Sequence, residues 1–92
     1  MRDVAETHYR TKSVSADTLI ATGSGRFGGV QVTASSGGSI KVWDNTAASG
    51  TVLIDTISVY PGDTFWWPSE FQTGLYLDVT GTVTVTVFYI GS

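Results

Sequence analysis

Valine and threonine alternate through Thr82-Val83-Thr84-Val85-Thr86-Val87 near the end of the chain. Successive side chains of a strand point to opposite faces, so this period of two predicts a strand with an apolar valine face and a hydroxylated threonine face. The alternation stops at Phe88-Tyr89-Ile90, which predicts cover on both faces there, from the fold or from a partner. Leu75, Leu77 and Val79 carry the same pattern upstream, and Gly81 between the two runs predicts a tight hairpin connection.

Elsewhere, β-rich runs alternate with Gly, Pro, Asn and Ser clusters at short spacing, and helical periodicity is absent. The pattern predicts strands near 10–14, 17–22, 27–34, 39–44, 51–60, 64–67, 74–80 and 82–90. Ser35-Ser36-Gly37-Gly38-Ser39 tolerates positive φ and predicts a hairpin reversal, across which Val30 and Val32 face Ile40 and Val42. Pro61-Gly62-Asp63 predicts a second turn of type II geometry, with Pro presetting φ and Gly taking the left-handed position. Asn45-Thr46-Ala47-Ala48-Ser49-Gly50 reads as a longer loop. The expected fold is all-β: a single antiparallel β-sandwich, jelly-roll or Ig-like, of about seven to eight short strands over residues 13–92, preceded by an extended N-terminal arm over residues 1–12.

Composition narrows the picture further. A chain of 92 residues has room for one core and no second domain. With no Cys and one His, it can build neither a disulfide framework nor a Cys/His zinc site. Charged residues make up 14% of the chain, against about 25% in typical soluble domains, while Ser and Thr number 24. A hydroxylated, weakly charged surface is poorly protected from self-association, so tight partners or copies of itself are expected. The net charge of −3 argues against nucleic acid, whose binding draws on clustered Lys and Arg. No run approaches the roughly 18 apolar residues of a membrane span, and the polar N-terminus lacks the apolar run of a secretory signal. The expectation is a soluble protein that is not exported by that route.

Charge is unevenly placed. Arg2, Arg10 and Lys12, with Asp3 and Glu6, give the first twelve residues a charge of +1, while the remainder carries −4. An arm of opposite polarity to its own body suits the covering of a neighbour, and a solvated, frayed terminus is the plainer alternative.

Candidate chemistry is thin. Gly23, Gly25 and Gly28 have the spacing of a dinucleotide-binding loop, but Val30-Gln31-Val32-Thr33 follows them where a helix N-terminus is required, so no cofactor is expected. His8 sits in the arm, away in sequence from Asp44, Asp55, Asp63, Glu70 and Asp78, and the spacing of those carboxylates singles out no acid/base pair. Asp44, Asn45 and Asp63 are too few for a calcium site that wants six or more oxygens, and turn formation is the better reading of them. No nucleophile, base and orienting group can be named together, so catalysis is not expected.

The densest feature is Phe65-Trp66-Trp67-Pro68, followed by Phe71 and Tyr76. Adjacent strand residues point to opposite faces, so Trp66 and Trp67 cannot both enter one core and one indole must face away from it. That outward indole lies under a loop, plugs a neighbouring subunit or stacks on a sugar, and these three readings stay open here. Arg2, Arg10, Lys12, Trp66 and Trp67 are the candidate partner-binding residues.

The string from Ile40 through Trp43-Asp44-Asn45-Thr46-Ala47-Ala48-Ser49-Gly50-Thr51 to Ile54, continued by Gly74-Leu75-Tyr76-Leu77 and Gly81-Thr82-Val83-Thr84-Val85, resembles small β-sandwich proteins encoded among the virion genes of tailed bacteriophages. The likeness covers roughly residues 18 to 90. It implies an accessory structural role, as a capsid decoration or cement protein or a minor head or tail component, and it implies no catalytic residues. The partners it implies are copies of the chain itself, a trimer first, and the major capsid or another virion protein, with synthesis in the host bacterial cytoplasm. The competing class is a carbohydrate-binding module on a fibre or spike, using an exposed Trp beside Asp or Asn.

Overall fold

The computed structural model describes residues 9 to 91, and those residues form strands, turns and bends with no helix. Six strands follow one another: β1 (Arg10–Val14), β2 (Thr18–Thr22), β3 (Gly25–Asp44), β4 (Thr51–Val59), β5 (Thr64–Phe71) and β6 (Gly74–Gly91). Every pairing among them is antiparallel.

Two long strands organise the sheet. β3 and β6 pair along nearly their whole lengths, from Gly25 opposite Gly91 to Trp43 opposite Tyr76. At the Gly25 end, β5 flanks β3 and β1 flanks β6, so one half of the sheet has the order β5, β3, β6, β1. At the Trp43 end, β4 flanks β3 and β2 flanks β6, which gives the other half the order β4, β3, β6, β2. Both halves turn their apolar residues into one cluster. Phe27, Val30, Val32, Val85 and Val87 come from the first, Ile40, Val42, Ile54, Leu75 and Leu77 from the second, and each is at most 4% exposed. Among the described residues no polar or charged side chain is fully buried. Hydrophobic burial is thus the main stabilising term, at about 1.5 to 3 kcal/mol for each fully buried aliphatic side chain.

Two expected reversals are absent. Ser35 to Ser39 does not turn the chain back, and Gly81 does not close a hairpin; each lies inside a continuous strand. Val30 and Val32 consequently face Val87 and Val85 of β6, while Ile40 and Val42 face Val79 and Leu77. The glycines serve a close approach instead. Gly38 and Gly81 are register partners beside an irregularity between Ser35 and Gly38, and Gly37 and Gly81 have φ of +93° and +84°. A Cβ on Gly81 would stand 2.7 Å from the Gly37 carbonyl oxygen. Glycine on both strands at one level lets the pair deform there while the ladder continues, the usual role of a bulge. Six strands, two of them long, therefore replace the seven to eight short ones expected.

The turn at Pro61-Gly62-Asp63 forms as its residues require. Gly62 has φ of +88°, the Asp63 N–H donates to the Tyr60 carbonyl at 3.1 Å, and the Asp63 carboxylate accepts the Tyr60 N–H at 2.9 Å. Backbone bonds with Val32 then dock the turn on β3, at 2.9 Å from the Gly62 N–H and 2.7 Å to the Asp63 carbonyl.

Candidate interaction faces

On the half built from β5, β3, β6 and β1, Val30 and Val87 enter the core, so Gly29 and Phe88 belong to the outer side. Trp66 is the register partner of Gly29 on β5, and Thr11 is the partner of Phe88 on β1. The row therefore reads Trp66, Gly29, Phe88, Thr11. Gly29 has no side chain, and the Trp66 and Phe88 rings close over it with centroids 5.4 Å apart and planes 21° from parallel. Trp66 is still 65% exposed. The next outer row is Thr64, Gln31, Thr86, Ser13, four uncharged side chains with hydroxyl or amide groups.

Neither indole enters the core. Trp67 is 50% exposed, although strict alternation would send it inward once Trp66 points out. The register from Phe27 opposite Ser69 to Gly29 opposite Trp66 sets Trp67 and Pro68 against Gly28 alone, a bulge that breaks the alternation. β5 is an edge strand, where Pro68 forfeits no ladder bond on its open side. Phe88-Tyr89-Ile90 behaves as expected: Tyr89 packs on the core, and Phe88 meets Trp66 on the other face.

Arg10 and Lys12 are exposed and belong to β1, opposite Tyr89 and Val87. The part of the expected arm that is described is thus paired into the sheet. Both basic residues lie on the core-facing side of the edge strand, a placement that opposes pairing by another strand. Three strand spacings, roughly 14 Å, separate them from Trp66, so the basic and indole candidates form no common patch. Arg2 and His8 lie outside the described residues.

The other half carries a face that sequence reading missed. Val42 and Leu77 are buried, so Trp43 and Tyr76, the next pair, point outward. Val52 is the partner of Trp43 on β4, and Leu19 is the partner of Tyr76 on β2. Val52, Trp43, Tyr76 and Leu19 make one apolar row across all four strands, with Val52 36% and Leu19 40% exposed. Charge borders it. Lys41 Nζ stands 4.4 Å from the Trp43 ring centroid and 3.6 Å from an Asp55 oxygen, and Asp78 is the register partner of Lys41. Burial, then the neighbouring Asp17 carboxylate, raises the Asp78 carboxyl above its ordinary value, with Lys41 opposing. Asp55 is held below its ordinary value by the Thr56 N–H and then by Lys41.

Asp44, Asn45 and Gly23 serve turns and connections. Asp44 accepts backbone N–H bonds from Gln72 at 3.0 Å and Thr73 at 2.9 Å, tying the end of β3 to the connection between β5 and β6. Asn45 donates to the Ser49 carbonyl at 2.8 Å, within the loop before β4. Gly23, with φ of +79°, donates its N–H to the Thr73 carbonyl at 2.9 Å, while Gly25 and Gly28 lie in β3. Among the described residues no group of three or more His, Cys, Asp or Glu is placed to hold a metal ion. A shallow cleft at the open end of the sheet is lined by Arg26, Glu70, Phe71 and Ile90.

No protein-family model matches the chain, no curated protein matches it in sequence, and no solved structure matches it.

Proposed function

We propose that the chain is a non-enzymatic structural protein of a phage virion, a capsid decoration or cement protein that docks on the shell as a closed homo-oligomer, a trimer first. In this reading the two halves of the sheet are the layers of a β-sandwich, jelly-roll or Ig-like, and one outer layer faces the particle. The observation that carries it is the outward apolar row Val52, Trp43, Tyr76, Leu19, whose aliphatic ends are exposed and whose aromatic centre is half-buried. A solvent-facing sheet surface normally alternates toward polar residues, and an aromatic centre with aliphatic flanks is the composition of a protein contact. Trp43 and Val52 also belong to the string that carries the phage resemblance. Low surface charge suits many weak contacts repeated over a shell, where linked copies gain affinity by avidity.

The test compares virions of the encoding phage made with and without the gene, by electron cryo-microscopy and protein mass analysis. Extra density on the shell that vanishes with the gene is the expected result. A Leu19→Asp, Val52→Asp double variant, changed only at exposed positions, should fold and fail to join the particle. Absence of the protein from purified virions overturns the reading.

A further inference from the structure

The face around Trp66 differs in chemistry from the face around Trp43. Lys41 covers the Trp43 ring, whereas Trp66 rests one face on Phe88 and is 65% exposed. Beyond Trp66 the surface is not apolar. Thr64, Gln31, Thr86 and Ser13 offer hydroxyl and amide groups in one row, and none can carry a charge at neutral pH. Three of the four, Thr64, Gln31 and Ser13, are exposed.

We infer that this face binds a neutral oligosaccharide, stacked on Trp66 and laid across the strands over Thr64, Gln31, Thr86 and Ser13. A protein contact centred on Trp66 would bury that polar row, and each group left unpaired would cost affinity. Sugar hydroxyls both donate and accept, so they match such a row group for group, and the apolar face of a pyranose ring matches the free indole face. Gln31 can accept through its carbonyl and donate through its amide, which suits the neighbouring hydroxyls of a sugar ring. Strands lie about 4.8 Å apart, close to the length of one sugar unit in an extended chain, so successive units meet successive strands. The row offers no cation to pair with an acidic sugar, so it matches a neutral ligand better. Phe88 holds the indole in place before the ligand arrives, which lowers the ordering cost of binding. The inference stands apart from the virion reading and does not require it.

The experiment titrates the full chain with cellohexaose, laminarihexaose, mannohexaose, xylohexaose and maltohexaose, followed by calorimetry and tryptophan fluorescence. At least one hexasaccharide is expected to bind saturably. Trp66→Ala should weaken that binding by about tenfold or more, and Gln31→Ala, at an exposed polar position, by several-fold. Leu19→Ala, on the other face, should leave it unchanged. Circular dichroism and thermal melting establish that each variant folds, and Gln31→Ala keeps the test decisive if Trp66→Ala does not. No binding by any of the five at about 10 mM overturns the inference. So does binding that ignores both substitutions, or a Trp66 shielded from acrylamide quenching by a second copy, which would mark the face as a subunit contact.

Discussion

Trp66 and Phe88 come from strands that are not neighbours, yet their rings stack with centroids 5.4 Å apart, with Gly29 between them in the register row. An aromatic pair over a glycine restores the cover that the missing side chain would have given. Gly29→Ala should therefore destabilise the fold by about 3 kcal/mol or more, since φ is +148° and the new Cβ would collide with the Phe65 carbonyl oxygen. Gly37→Ala, with φ of +93° and open space around it, should cost only about 1 kcal/mol of backbone strain. Urea denaturation of the two variants measures the difference.

Val85 is fully buried, and Thr84 beside it points to the other face. Val85→Asp places an uncompensated charge in the core and should cost several kcal/mol, enough to unfold a domain of this size. Thr84→Asp should cost under about 1 kcal/mol. Equal losses in chemical denaturation would contradict the register of β6.

Asp78 and Asp55 flank Lys41 and titrate in opposite senses. The Asp78 carboxyl is raised above the usual 3.8 in the fold, so its contribution is fully present below that value and is lost as pH rises through the folded value. Ionised Asp78 is repelled by Asp17, just ahead of β2, and attracted by Lys41, its register partner on β3, with Asp55 beyond it. Asp78→Asn should accordingly raise stability at pH 7 by about 0.5 kcal/mol, the scale of a surface charge pair, and give little gain at pH 3. The Asp55 carboxyl is lowered, so its contribution is present above 3.8 and disappears as pH falls through the folded value. Thermal melts of the two Asn variants at several pH values read both signs.

Arg10 and Lys12 project from the core-facing side of the edge strand β1. Replacing both with Val should leave the unfolding free energy within about 0.5 kcal/mol while exposing an unguarded strand to pairing. Sedimentation velocity should show concentration-dependent growth beyond the parent chain's own assembly state at the same concentration.

The parts legible in the sequence were those set by local chemistry. Pro61-Gly62-Asp63 admits one kind of turn, and the valines from Val83 to Val87 admit one inward face. A reversal is expected from Ser35 to Ser39 and does not form, because a Gly/Ser run serves a bulge equally well and the outcome depends on whether a distant strand continues alongside. β6 does continue, so the bulge wins. Trp66 and Trp67 illustrate a different limit. Alternation correctly excluded two inward indoles, but only the pairing of two residues against Gly28 shows that both stay outside. The row from Leu19 to Val52 draws one residue from each of four strands, so no local pattern could assemble it before the register was known.

The Asp44 carboxylate, fastened to the backbone at Gln72 and Thr73, also bears on the order in which the chain folds. The chain between Trp43 and Tyr76 is about half as long as that between Gly25 and Gly91, so closing the Asp44 end first costs less loop entropy. Pairing of the two long strands should then advance like a zip from that end toward the termini. Val42→Ala should slow refolding in stopped-flow measurements, and Val87→Ala should chiefly speed unfolding.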